Sequence, residues 1–220
     1  MSQRYGFRRA RTKLGYRKIQ ADIYMPSASE ASIPVALYNY VGVEKADGSG
    51  GGEFGLTIQP ASSGGRFVIL VYRSIVGLTP PWDFVRDQNG NPIELPAGRT
   101  YRLLVATDDN LYKAWLYDET GNQIIYREWR TAVSANGSNQ HARRVTSLFT
   151  ESGTRAYANN NRWREVLVGT PISFHRMTST DLEGGSPVSQ TEPPGNEDIW
   201  INVNVIDPYF NEDISINIPA

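Results

Sequence analysis

The chain of 220 residues contains no cysteine. That absence excludes disulfides, thiol nucleophiles and thiolate metal sites. Histidine is nearly absent too: His141 and His175 are the only two, too few for a histidine-rich metal centre. No apolar run approaches the roughly 20 residues that a membrane-spanning helix needs, so no membrane insertion is expected. Neither sign of charge dominates. A formal net charge of −1 gives no overall pull towards nucleic acid, and no nucleic-acid partner is expected. Helical spacing of apolar residues is scarce, and no internal repeat has a solenoid or propeller period.

What the chain does have is alternation. With 40% hydrophobic and 11% aromatic residues it can bury a full core, and residues 1–220 are read as a single domain. Period-two patterning predicts strands near 4–12, 17–25, 35–45, 53–59, 65–74, 100–107, 111–118, 123–129, 143–149, 163–172, 199–206 and 212–218. Turn chemistry separates them: a Gly/Ser hinge from Ala46 to Gly52, a tight loop at Asn89-Gly90-Asn91-Pro92 and a hairpin tip at Gly121-Asn122. Two longer connections interrupt the pattern. Residues 75–98, around Trp82, read as an ordered rim excursion, and the acidic, proline-rich residues 178–198 as a mobile surface connection. Many short strands with turns between them predict an all-β sandwich of two antiparallel sheets, and the late hairpin at 199–218 suits a jelly roll whose first and last strands meet.

Charge is unevenly distributed along the chain. Residues 1–21 hold seven Lys/Arg and no acid, while residues 177–220 hold eight Asp/Glu and no base. Such a basic segment is either an arm for phosphates or an anionic surface, or one of two chain ends that lie beside each other in a sheet with their charges paired. The second reading agrees with the jelly roll. The basic amino terminus lacks the apolar stretch of a secretory signal. A composition rich in Asn, Gly, Ser, Thr and Tyr nevertheless points to a secreted or cell-surface protein of a bacterium, its signal segment absent from this chain.

The stretch "LYKAWLYDETGNQIIYREW", residues 111–129, concentrates the candidate binding residues. Alternation puts Lys113, Trp115 and Tyr117 on one face of its first strand, with Tyr112, Ala114 and Leu116 facing the core. On the return strand Arg127 and Trp129 share a face, and a regular hairpin would present all five together. Tyr38 and Tyr40 occupy the less apolar side of 35–45, and Glu53 lies opposite Phe54 and Leu56 on the next strand. Rings that stack on pyranose faces, beside charged groups that hydrogen-bond hydroxyls, are what a sugar polymer needs, and Arg and Lys favour uronate or sulfate groups. The same aromatic residues also serve as filling between packed sheets.

The segments "KIQADIYMPS", "VALYNYVGVE", "GGEFGLTIQ" and "GGRFVILVYRS", followed by "RRVTSLF" and "RWREVLVGTPI", are similar to concanavalin A-like jelly rolls. The chain most resembles a bacterial exported family of unknown function and is more distantly similar to the glutamic peptidases. The resemblance implies a bent two-sheet sandwich with a ligand-holding concave face. Glutamic peptidases need a Gln and a Glu facing each other. The segment that should carry the Gln reads Gly52-Glu53-Phe54-Gly55, and the surroundings of Glu128-Trp129 do not match either. The paired carboxylates of the retaining glucanases of this fold are absent as well, since no E-x-D-x-x-E stretch occurs. In lyases similar to the alginate-degrading jelly rolls, the Gln-x-His segment precedes the strand that "YKAWLYDETG" resembles, whereas Gln140-His141 follows it here.

His141 reads as a solvent-facing loop residue and His175 as a satisfied sheet residue. Asp207, Asn211 and Asp213, with Glu212 and Asp198, offer oxygens to a structural Ca²⁺, in a spacing that matches no EF-hand loop; no other cofactor is expected. The expectation is therefore a non-catalytic, lectin-like sandwich that binds a poly- or oligosaccharide through Tyr38, Tyr40, Glu53, Lys113, Trp115, Tyr117, Arg127 and Trp129. Two other classes stay open. One is a polysaccharide lyase or hydrolase working around Glu53, His141 and tyrosines, and the other is a structural or assembly protein that uses its basic amino-terminal arm for contacts.

Overall fold

A computed structural model describes residues 2–60, 66–72 and 82–220, with residues 66–72 as backbone only. Sixteen strands are present among them: β1 (Gln3–Arg11), β2 (Lys18–Tyr24), β3 (Ala31–Ser32), β4 (Ala36–Lys45), β5 (Gly51–Ile58), β6 (Arg66–Tyr72), β7 (Trp82–Phe84), β8 (Thr100–Asp108), β9 (Leu111–Tyr117), β10 (Gln123–Arg130), β11 (Gln140–Glu151), β12 (Ala156–Gly169), β13 (Phe174–Arg176), β14 (Val188–Glu192), β15 (Ile201–Val205) and β16 (Glu212–Ile218). One short helix, α1 (Glu197–Trp200), precedes β15. The strands form two antiparallel sheets packed as a jelly-roll sandwich. The seven-stranded sheet runs β14-β1-β11-β4-β5-β6-β7. The nine-stranded sheet runs β10-β9-β8-β2-β12-β16-β15, with β3 and β13 also paired to β12.

The period-two alternation seen in the sequence builds the core directly. Along β2, Ile19, Ala21 and Ile23 are buried while Lys18, Gln20, Asp22 and Tyr24 are not. Along β9 the inward set is Tyr112, Ala114 and Leu116. These side chains meet Leu37 and Val41 of β4 and Phe54 and Leu56 of β5 in one cluster. Each large apolar side chain so buried contributes about 1.5–3 kcal/mol relative to exposure. Polar groups inside the sandwich are partnered. The Asn39 amide donates to Asn161 Oδ1 at 2.8 Å, Thr146 Oγ1 donates to Asn39 Oδ1 at 2.6 Å, and the Trp163 indole donates to Thr146 Oγ1 at 2.8 Å. All four side chains are fully buried, and this chain of bonds joins the facing sheets.

The long strand β12 departs from strict alternation. Its register shifts between Ala158 and Asn161 and again between Arg164 and Leu167, where Asn160 and Glu165 take positive φ values of 58° and 49°. Two bulges re-aim the chain, which is why only 163–172 of it reads as a strand from alternation. His141 lies inside β11, opposite Glu44, and its Nδ1 is 2.6 Å from the Thr12 carbonyl; it is not a loop residue.

The segment 178–198, expected to be a surface connection, supplies a 3₁₀ turn at Glu183–Gly185 and the edge strand β14, whose Val188–Glu192 pair with β1. In the expected rim excursion, Trp82–Phe84 pair with β6, and residues 75–81 lie outside the described residues. The two charged chain ends do meet: Arg11 pairs with Glu183, and Arg8 with Glu212 at 2.6 Å. They do so in two ways. Strand β14 lies beside β1 in one sheet, whereas β16, the last strand, belongs to the other sheet and faces β1 across the core. First and last strands therefore meet face to face rather than edge to edge.

Candidate functional site

The outer face of the seven-stranded sheet carries a hollow of about 290 Å³ lined by β1, β11, β4 and β5. Strand register arranges its side chains in rows. Tyr5 lies beside Phe149; Phe7, Ser147, Tyr38 and Thr57 form the next row; Arg9, Val145, Tyr40 and Gly55 the third; Arg11, Arg143, Gly42 and Glu53 the fourth. Glycines make the hollow. A Cβ at position 55 would come within 2.3 Å of the Asn39 carbonyl oxygen, and one at 42 within 2.6 Å of the Gly52 carbonyl oxygen. Each of these glycines stands opposite a large polar residue, Tyr40 and Glu53 respectively, so the bulky side chain closes over a neighbour that has none.

The first rows are aromatic. Tyr5 and Phe7 stack with centroids 6.1 Å apart and planes only 18° from parallel. Phe149 contacts Tyr5 at 5.7 Å and Tyr38, edge-on, at 5.7 Å. The last row is ionic. Arg143 reaches over Gly42 to Glu53 and also grips Glu44, with its Nη1 2.7 Å from Glu44 Oε1 and its Nη2 2.9 Å from Glu44 Oε2. All three side chains are almost completely buried. Burial is the main force raising the Tyr40 hydroxyl well above the usual tyrosine range, and the Glu53 charge adds to it; Tyr40 stays a neutral hydrogen-bonding group. From beneath, the Tyr112 hydroxyl of the nine-stranded sheet donates to the Gly52 carbonyl at 2.9 Å and anchors the strand that carries Glu53.

Arg9 sits between the aromatic and ionic ends. Its guanidinium lies 5.6 Å from the Phe7 ring centroid, and its buried Nε has no hydrogen-bond partner among the described residues. Burial, and then the nearby charges of Arg11 and Arg143, lower its pKa from the ordinary arginine value. It remains cationic at neutral pH.

The residues proposed from the sequence are not brought together. Tyr40 and Glu53 line this hollow, and Tyr38 lies next to it, opposite Ser147 and Thr57. Lys113, Trp115 and Tyr117 lie on the outer face of the other sheet. Arg127 and Trp129 do not join them, because the β9–β10 register shifts at Ile124. That bulge pairs Tyr126 with Trp115 and Glu128 with Lys113, and leaves Arg127 and Trp129 on the inward side with Ala114 and Tyr112. Trp129 packs against the core 6.2 Å from Tyr112, and Arg127 donates to the carbonyl oxygens of Tyr126 and Arg86. Trp115 contacts Tyr126 at 5.1 Å. Tyr117 borders a separate cleft of about 390 Å³ with Asp22, Arg102 and Glu119, where Arg102 binds both carboxylate oxygens of Asp22.

The hollow's other members, Tyr5, Phe7, Arg9, Arg143 and Phe149, were not among the candidates. Their signal is the alternation of "RYGFRRAR", whose Tyr5, Phe7 and Arg9 share a face; the cluster of positive charge points instead to an arm or to a chain end paired with the acidic one.

The oxygens considered for Ca²⁺ take separate roles. Asp207 accepts from Asn211 and Tyr209 within its own turn, Asp213 pairs with Arg164, and Glu212 with Arg8 and Arg144. No group of three or more His, Asp or Glu able to hold a metal ion occurs among the described residues. A further polar chain runs from Ser173 Oγ to His175 Nδ1 at 2.7 Å and from His175 Nε2 to Asp181 Oδ1 at 2.8 Å. Asp181 is also bound by the Tyr16 hydroxyl and by Thr178. The order is that of nucleophile, base and orienting acid, but Ser173 stands on an exposed turn.

No family model matches the chain, and no curated protein does. Solved structures do. A scytalido-glutamic peptidase bound to a peptide-based transition-state analog is 12% identical over 97% of this chain and 98% of that one, with a TM-score of 0.58. SCP-B, of the eqolisin family of peptidases, in complex with the tripeptide Ala-Ile-His, is 12% identical over the same shares, with a TM-score of 0.57. At this identity the likeness is one of fold: the chain is a two-sheet jelly-roll sandwich of the architecture that these peptidases use.

Proposed function

We propose that the hollow on the seven-stranded sheet binds an oligosaccharide and does not cleave it. The observation that carries this reading is the aromatic cluster of Tyr5, Phe7, Phe149 and Tyr38 beside a buried row of charged groups. Pyranose rings present apolar faces that settle on such rings, while their hydroxyls take charge-assisted hydrogen bonds from the ionic row. Cleavage is disfavoured because the Glu53 carboxylate is committed to Arg143, and Glu44 shares the same guanidinium. Neither carboxylate can trade a proton without disrupting a buried ion cluster. No helix among the described residues is long and apolar enough to cross a membrane. A secreted or cell-surface setting would supply polymeric sugar.

Native affinity electrophoresis through gels containing neutral and acidic polysaccharides, with the same mixtures assayed for reducing and unsaturated ends, tests the proposal. Retardation without products is expected, and Phe7→Ala should weaken it about tenfold, equivalent to ~1.4 kcal/mol. Products would establish a hydrolase or lyase, and absence of retardation in every gel would refute the carbohydrate reading.

A further inference from the structure

Tyr5, Phe7 and Arg9 are successive outward residues of one strand, so the aromatic platform leads directly to a guanidinium. Every neighbouring arginine of that face is matched by acid: Arg11 by Glu183, and Arg143 by Glu44 and Glu53. Arg9 is not. It makes no ion pair with a described residue, its Nε is buried without a partner, and its guanidinium is held near the Phe7 ring at the edge of the hollow. A half-buried cation with no counter-ion in contact, whose only acidic influence is Glu183, is costly, and the residue gains most from a ligand that brings a charge to it.

Resting on the oligosaccharide reading, we infer that Arg9 reads a carboxylate on the sugar, so that the preferred ligands are uronic-acid oligosaccharides. A sugar stacked on Tyr5 and Phe7 directs a ring substituent towards Arg9. A planar carboxylate matches the planar guanidinium fork with two parallel hydrogen bonds. The Tyr40 hydroxyl lies in the same row as Arg9, is kept protonated and is hydrogen-bonded to Glu53, so it brings no competing negative charge to the anion. Glu44 and Glu53, spent on Arg143, hold off an anion from the ionic end and confine it to Arg9.

The test is isothermal titration of the full chain with a galacturonate hexasaccharide, with the same oligomer after its carboxylates are reduced to alcohols, and with a sulfated neutral hexasaccharide. The acidic oligomer should bind at least tenfold more tightly than its reduced form, and Arg9→Gln should abolish that difference, chiefly by weakening the acidic oligomer. Arg9 makes no structural ion pair, so the variant should melt within a few degrees of the native protein, and its melting curve verifies that it is folded. Equal affinity for acid and reduced forms would overturn the role of Arg9 and leave the sugar platform standing. A preference for the sulfated oligomer would overturn the carboxylate assignment. Failure of all three oligomers to bind would remove this inference together with the reading on which it rests.

Discussion

Replacing Glu212 by glutamine tests what joins the two sheets at their polar end. Glu212 and Arg144 both have side chains 0% exposed. Arg144 Nη2 donates to Glu212 Oε2 at 2.6 Å and to the Phe210 carbonyl at 3.0 Å, while its Nε and Nη1 have no partner among the described residues. Arg8 binds both carboxylate oxygens, at 2.6 and 3.3 Å. Glutamine keeps the shape but removes the negative charge and can turn a donor towards two guanidinium groups. A fully buried cation is then left with a carbonyl as its chief partner, which costs about 3–5 kcal/mol.

The neighbouring residue is an internal control. Asp213 points to the other side of β16 and pairs with Arg164, with side chains 30% and 35% exposed respectively. Asp213→Asn should cost only about 0–1 kcal/mol. Urea unfolding, reading the midpoint at constant slope, measures both. An equal cost for the two substitutions would refute the argument. If E212Q does not fold, the pair Arg144→Met with Glu212→Leu removes both buried charges and should recover a folded protein. The effect also has a pH signature. Burial pushes the Glu212 carboxyl up, but Arg144 and Arg8 outweigh it and hold its pKa below the ordinary value. A depressed folded-state pKa gives stabilisation that is complete above the unfolded value of about 4.3 and is lost as pH falls through the folded value. The gap between wild type and E212Q should therefore close in acid.

Trp115→Ala removes a ring that contacts Tyr126 on the face opposite the hollow; it should cost at most about 1.5 kcal/mol and leave retardation in polysaccharide gels unchanged. Lost retardation would move the binding site to the β9–β10 hairpin. Asp181 is buried, which raises its carboxyl, yet hydrogen bonds from Tyr16, His175 and Thr178 hold it below the usual carboxylate range. Asp181→Asn should cost about 1–3 kcal/mol at pH 7 and progressively less as pH falls below about 4, measured as the shift in melting temperature across pH. Gly55→Ala would drive a Cβ to 2.3 Å from the Asn39 carbonyl oxygen, so it should destabilise the protein by at least ~1–3 kcal/mol; a neutral result in urea unfolding would show that β4 and β5 can part.

The sequence by itself determined the fold class and most strands, because alternation is local and nearly every strand here has one core-facing side. It also determined which residues of β4, β5 and β9 face outward: Tyr38, Tyr40, Glu53, Lys113, Trp115 and Tyr117 all do. Which outward faces coincide was decided only by tertiary structure. Strand β9 lies in one sheet and β4 in the other, a partition that no local pattern encodes. One bulge at Ile124 was enough to take Arg127 and Trp129 away from Trp115, since a single extra residue reverses every side chain beyond it. The site on β1 shows the complementary case. Tyr5, Phe7 and Arg9 alternate visibly, but their joining with Arg143, Glu53 and Tyr40 required β11 and β4 to lie beside them, and only strand order supplied that.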